Sequence, residues 1–178
     1  GRFIVGHIGV LDDSHKGQLQ IIELAKMTHE TFADICFLLV GSGKDEEYFK
    51  QLTQDLNNIE FVGQKENVGD YLAAFDLFIF PSRHEGLGSI LLDAMDFGLP
   101  IIASNVGGIP EIIQNGVNGI LVNLNSFDDY FNALKSLFSD VKMRLRIEQT
   151  NKEKGKSFSV KTMTDQYINL YNRIYDKS

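Results

Sequence analysis

The 178-residue chain reads as an α/β protein built on a doubly wound parallel sheet of Rossmann-like plan. Three observations predict this. Short β-rich apolar runs alternate with helix-length segments. The runs are apolar almost throughout, as in strands buried on both faces. The loops that follow them carry glycine or charge, and in such sheets ligands sit outside the carboxyl ends of the strands.

Phe3–Val10 reads as the first strand, and "LDDSHKG" leads into an amphipathic helix over about Gln18–Thr31. "ICFLLVG" (Ile35–Gly41) is the second strand, ended by the turn "GSGKD", with a helix at Glu46–Asp55. "IEFVG" (Ile59–Gly63) and a short helix at Val68–Ala74 precede "LFIF" (Leu77–Phe80), the fourth strand. A glycine-broken loop then opens a helix over about Ser89–Phe97, followed by the strand "PIIAS", Pro100–Ser104. Ile109–Gln114 forms one to two helical turns, "NGVNG" a turn, and "GILV" (Gly119–Val122) the sixth strand. Beyond Ser126 the pattern is helical to the end, with Tyr130, Leu134, Leu137 and Phe138 spaced for one face.

At 43% hydrophobic and 23% charged residues, residues 1–178 fit one globular domain with a proper core. A net charge of -7 argues against a broad nucleic-acid surface, which would be basic. The single cysteine, Cys36, rules out an internal disulfide and is expected to act as a small buried hydrophobe. The four histidines form no HxxH or HxxxH pair, so no metal is expected. No apolar run reaches the roughly 18 residues of a membrane span, and no secretory signal opens the chain. The expected location is the cytoplasm. Because "GRFIVGHIGV" enters a strand at once, a domain from a longer chain is expected.

The loop Glu85-Gly86-Leu87-Gly88-Ser89 is the first candidate. Two glycines at a helix start leave backbone amides open to a phosphate or to oriented hydroxyls. The competing reading is a tight turn with Ser89 as N-cap. Asp93 is the second: in "SILLDAM" it is the one acid among apolar residues. A helix apolar nearly all round is buried, where an ionised carboxylate costs several kcal/mol without partners. Asp93 lies one turn, about 6 Å, beyond Ser89, so it is expected to reach the same crevice; the alternative is a carboxylate favoured near a helix start. Lys16-Gly17 follows the first strand, and its ammonium could reach a phosphate or be solvated. The P-loop spacing, GxGxxG and GxSxG are all absent. "SNVGGIPEII" has the form of a second glycine turn at the crevice, with Pro110 and Glu111 suited to a helix start. His84, beside Glu85, is either a ligand donor or a solvated loop histidine.

Over almost its whole length the chain resembles the C-terminal, nucleotide-sugar-binding domain of glycosyltransferase family 4, retaining enzymes of the GT-B fold. The resemblance runs through "LLVGSGKDEEYFKQL", "IEFVGQKENVGDYLAAFDLFIFPS", "EGLGSILLDAMDFGLPIIASNVGGIPEIIQNGVNGILV" and "YINLYNRIY", in the family's order. It implies a donor domain whose acceptor-binding N-terminal partner is absent from these 178 residues. It places Glu85 near the donor sugar, Asp93 at the ribose, the amides around Gly86, Leu87, Gly88 and Ser89 at the diphosphate and sugar, and Lys16 at the leaving diphosphate. Phe61–Gln64, through Val62 and backbone groups, falls where the family holds the base. The ligand implied is a nucleoside diphosphate sugar, with no further cofactor and no metal. The location implied is cytoplasmic, with peripheral membrane attachment through the missing domain left open.

Two positions depart from the family. Asp93 replaces the usual glutamate and loses one methylene of reach. Gly9-Val10-Leu11 stands where the family often has G-R-L, so one phosphate clamp is missing unless His7 or Arg83 substitutes. The expected activity is transfer of a sugar to an acceptor hydroxyl with retention, this domain alone binding donor and transferring little. Alternatives are a non-catalytic nucleotide-sugar-binding module and the donor half of another GT-B enzyme, such as a sugar-nucleotide epimerase.

Overall fold

The structure, a computed structural model, describes residues 1–158 and 160–175. Strands β1 (Phe3–Ile8), β2 (Ile35–Val40), β3 (Ile59–Gly63), β4 (Leu77–Phe80), β5 (Ile101–Ser104) and β6 (Ile120–Val122) are all present. They form one parallel sheet in the order β3-β2-β1-β4-β5-β6, the doubly wound plan read from the sequence. The chain moves outward from β1 to β3, then returns to lay β4 on the other side of β1. Strand order therefore reverses between β1 and β4, the place where such sheets bind ligands.

Successive strand residues point to opposite faces, and each face has its own apolar layer. Val5, Phe37, Leu39, Leu77, Ile79 and Ile102 enter one layer, covered by α2 (Leu19–His29), α3 (Glu46–Leu52) and α7 (Phe127–Ser139). Val40, Phe78, Phe80, Ile101 and Ala103 enter the other, covered by α4 (Val68–Ala74), α5 (Ile90–Asp96) and α6 (Ile109–Ile112). Strands apolar at most positions are what this double coverage requires.

The differences from the sequence reading lie at element ends and in the last third. A separate helical turn, α1 (Asp13–Lys16), precedes α2, capped by Asp12 and closed by Gly17. The C-terminal helical stretch is divided at Asp140, which caps α8 (Val141–Gly155) by accepting from the Met143 amide. Asn151 of α8 ties this helix to the sheet, donating to Leu99 O at 2.7 Å and Asn118 O at 3.0 Å. The last helix, α9 (Val160–Tyr175), exposes Met163, Tyr167, Leu170 and Tyr171. Cys36 is partly rather than fully buried.

Candidate functional site

Two loops meet where the strand order reverses. After β1, Asp12 accepts from the Ser14 amide to start α1, and Gly17 ends it at φ 65°. Only glycine fits there, because a Cβ would overlap the carbonyl oxygen of Pro81 beyond β4. The amides of Arg83 and His84 both donate to the His15 carbonyl, at 2.8 and 3.4 Å. This backbone docking brings Lys16 to Glu85: Nζ donates to Oε2 at 2.6 Å, with side chains 25% and 15% exposed. Buried Ser82 places its hydroxyl 3.4 Å from the same oxygen, and the ammonium lies 5.2 Å above the Phe80 ring. Two residues chosen separately from the sequence, 69 positions apart, thus form one polar centre.

The Glu85 loop is held from its other side as well. Gly108 donates from its amide to Gly86 O at 2.9 Å, and a Cβ on Gly107 (φ 53°) would overlap Glu85 O. The amides of Gly86, Leu87, Gly88 and Ser89 meet no acceptor among the described residues and stay open to a ligand. Ser89 is itself helical, at φ -52° and ψ -33°, and makes no side-chain capping bond, which corrects the N-cap reading.

Asp93 is exposed, which overturns the expectation that its helix is buried all round. α5 packs only one face, through Leu91, Ala94 and Met95, and turns Asp93 and Asp96 outward. Partial desolvation and the neighbouring Asp96 still push its carboxyl above the ordinary aspartate value. No group among the described residues bonds that carboxylate.

His7 cannot serve as a phosphate clamp. It is fully buried and burial lowers its pKa to about 4, so its ring is neutral near pH 7. Its Nδ1 bonds Ile79 O at 3.0 Å, and Gln18 Nε2 donates both to Val10 O at 2.7 Å and to the other ring nitrogen at 3.3 Å. Arg83 does reach the rim, but as a strut. Its guanidinium donates from Nε to Asp13 O at 2.9 Å, from Nη2 to Asp13 Oδ2 at 2.8 Å, and from Nη1 to Asn125. One side chain thereby joins the loops after β1, β4 and β6. Sequence reading missed this role because the three loops are far apart in the chain.

Two openings flank the Lys16–Glu85 pair. One, about 490 Å³, lies between the loops after β4 and β5 and is lined by Arg83, His84, Glu85, Gly86, Val106 and Gly107. The other, about 210 Å³, lies over β1, β2 and β3, where Gly9, Val10, Ser42, Gln64, Lys65 and Val68 line it. Val62 packs into the apolar layer beneath, so the loop after β3 faces this opening through Gln64 and Lys65 instead. A third cavity of about 250 Å³ lies at the opposite, amino ends of β4 and β5. Its charged groups are already engaged: Arg144 donates to Phe138 O at 2.7 Å, and Asp76 accepts from the Ile4 amide at 2.7 Å.

A family model described as glycosyl transferases group 1 matches residues 1–154. The N-acetyl-alpha-D-glucosaminyl L-malate synthase of Bacillus anthracis is 32% identical over 145 residues, covering 79% of this chain and 38% of the synthase. Anabaena HepE, crystallised with UDP, superposes with a TM-score of 0.86 at 25% identity, over 97% of this chain and 49% of HepE; another HepE structure holds UDP and glucose. The C-terminal domain of the Francisella tularensis glycosyl transferase LpcC is 28% identical with a TM-score of 0.80, covering 89% of this chain and 86% of that domain. This chain spans about half or less of the length of the curated relatives it matches.

Proposed function

The chain belongs to the group 1 glycosyl transferases, and we propose that within them it is the donor-binding domain of a retaining enzyme using a nucleoside diphosphate sugar. The observation that carries this reading is the Lys16–Glu85 pair, set at the strand-order reversal between one opening suited to a base and one suited to a sugar. UDP in HepE, and UDP with glucose, support the same ligand class here.

In the proposed complex the base lies over Gly9, Ser42 and Gln64, and Asp93 contacts the ribose. The diphosphate faces Lys16 and the amides of Gly86–Ser89, and the sugar enters the opening that Glu85 lines. An acceptor hydroxyl attacks the anomeric carbon from the side the phosphate leaves, so the configuration is retained. The bond from that carbon to the phosphate oxygen breaks, the bond to the acceptor oxygen forms, and the acceptor proton passes to the leaving phosphate. Lys16 and the open amides stabilise the charge growing on the phosphate, and Glu85 that growing at the sugar. The acceptor binds an N-terminal domain, and the 178 residues alone bind donor without appreciable transfer; any site on a cytoplasmic face of a membrane is reached through that partner.

Calorimetric titration with UDP-, GDP- and ADP-sugars tests the reading. At least one donor should bind, and Lys16→Ala should weaken it tenfold or more, which is about 1.4 kcal/mol. Absence of binding at millimolar donor, or an indifferent Lys16→Ala, contradicts it. Val10, aliphatic and 60% exposed on the rim, favours a second reading, a binding module without turnover.

A further inference from the structure

We infer that the Lys16–Glu85 ion pair discriminates between an intact nucleotide sugar and the free nucleoside diphosphate, disfavouring the latter. The inference rests on the donor-site reading above and deepens it.

Each cation on the loops after β1, β2 and β4 is already matched with a carboxylate. Lys16 pairs with Glu85 at 2.6 Å, Lys44 with Asp12 at 3.0 Å, and Arg83 with Asp13 at 2.8 Å. Val10 adds no charge to this rim. A diphosphate that recruits a side-chain cation of these three loops must therefore draw it from a carboxylate. The three carboxylates are not equivalent in what they retain. Asp12 keeps the Ser14 amide at 3.0 Å, and Asp13 keeps the Leu19 amide at 2.8 Å. Among the described residues Glu85 keeps only the Ser82 hydroxyl, at 3.4 Å.

Lys16 and Lys44 both carry their charge on flexible four-carbon stems, and Lys16 is the one paired with the carboxylate that lines the sugar opening, its backbone fixed at Gly17 and His15. If a nucleoside diphosphate draws the ammonium away, Glu85 is left ionised and largely enclosed, with one long hydrogen bond and a new anion close by. A half-buried charge stripped of its partner is unfavourable. An intact donor breaks the same pair but places sugar hydroxyls in the opening that Glu85 lines, and these donate to the freed carboxylate. Both ligands meet the energy of breaking the pair; only the sugar offsets it. After transfer the hydroxyls leave, the pair re-forms, and the nucleoside diphosphate is released.

The sign of one substitution tests this. In the 178-residue chain, Glu85→Gln frees Lys16 while preserving side-chain shape. UDP, with GDP run in parallel, should bind Glu85→Gln about threefold to tenfold more tightly than wild type, the range of a partly exposed ion pair. Preference for UDP-glucose over UDP, or GDP-mannose over GDP, should shrink by a similar factor. Glu85→Ala should move nucleoside diphosphate affinity in the same direction. In a Lys16→Met background the gain from Glu85→Gln should fall away, since no ammonium remains to be released. Equal or weaker UDP and GDP binding by Glu85→Gln overturns the inference, and so does an equal gain with and without Lys16, which would mean simple charge repulsion. If no nucleoside diphosphate binds wild type or variant at millimolar concentration, the donor-site reading itself falls.

Discussion

Asp93 stands on the exposed face of α5. Its place eight residues after Glu85 was visible in the sequence, but its burial was not: α5 has seven residues, too few for helical periodicity to separate an outward face from an inward one. Because Asp93 is exposed, no large burial energy has to be offset by a ligand. Its carboxyl is nevertheless raised by partial desolvation and by Asp96, so the ionised form is mildly disfavoured in the folded chain. That penalty is present above the raised pKa and disappears as pH falls below the unfolded value near 4. Asp93→Asn should therefore raise the melting temperature slightly at pH 7 and not at pH 3. The same variant should bind UDP several-fold more weakly if Asp93 holds the ribose. Thermal melts at the two pH values and a UDP titration read both effects, and unchanged UDP affinity would remove Asp93 from the site.

At the scale of elements, β1 and its loop determine where Lys16 stands. Val5 and His7 are two residues apart on one strand and enter the same face, so His7 could have been assigned to the core from the period of two alone. Its neutral ring accepts from Gln18, whose amide also holds Val10 O, and this props the first rim loop from below. As pH falls, His7 in the unfolded chain protonates near 6.5, while the native ring resists until about 4. Protons therefore bind the unfolded chain preferentially, and stability is lost between those values. In urea unfolding, His7→Phe should be less stable than wild type at pH 7, and the gap should narrow by about 3 kcal/mol by pH 4. A gap independent of pH would mean that His7 is not buried neutral. The turn α1 was legible too, since Asp12 and Gly17 carry the start and stop residues of a helix. The Arg83 strut was not, because its partners Asp13 and Asn125 lie 70 and 42 residues away.

At the scale of the whole molecule, the continuous apolar runs were enough to foresee a parallel sheet with both faces covered. The reading also located β3, α4 and β4 residue for residue. What hydropathy alone does not contain is the spatial order of strands, and that order makes a site of loops remote in sequence. In the proposed complex a nucleotide sugar spans the carboxyl-end rim across the β1–β4 reversal. Amide chemical-shift mapping of the 178-residue chain with UDP-glucose, and with GDP-mannose in parallel, tests it most directly. The largest changes should fall on Gly9–Leu11, Gly41–Ser42 and Gly86–Ser89. Changes gathered instead at Asp76, Gly98 and Arg144, around the cavity at the opposite end of the sheet, would contradict it.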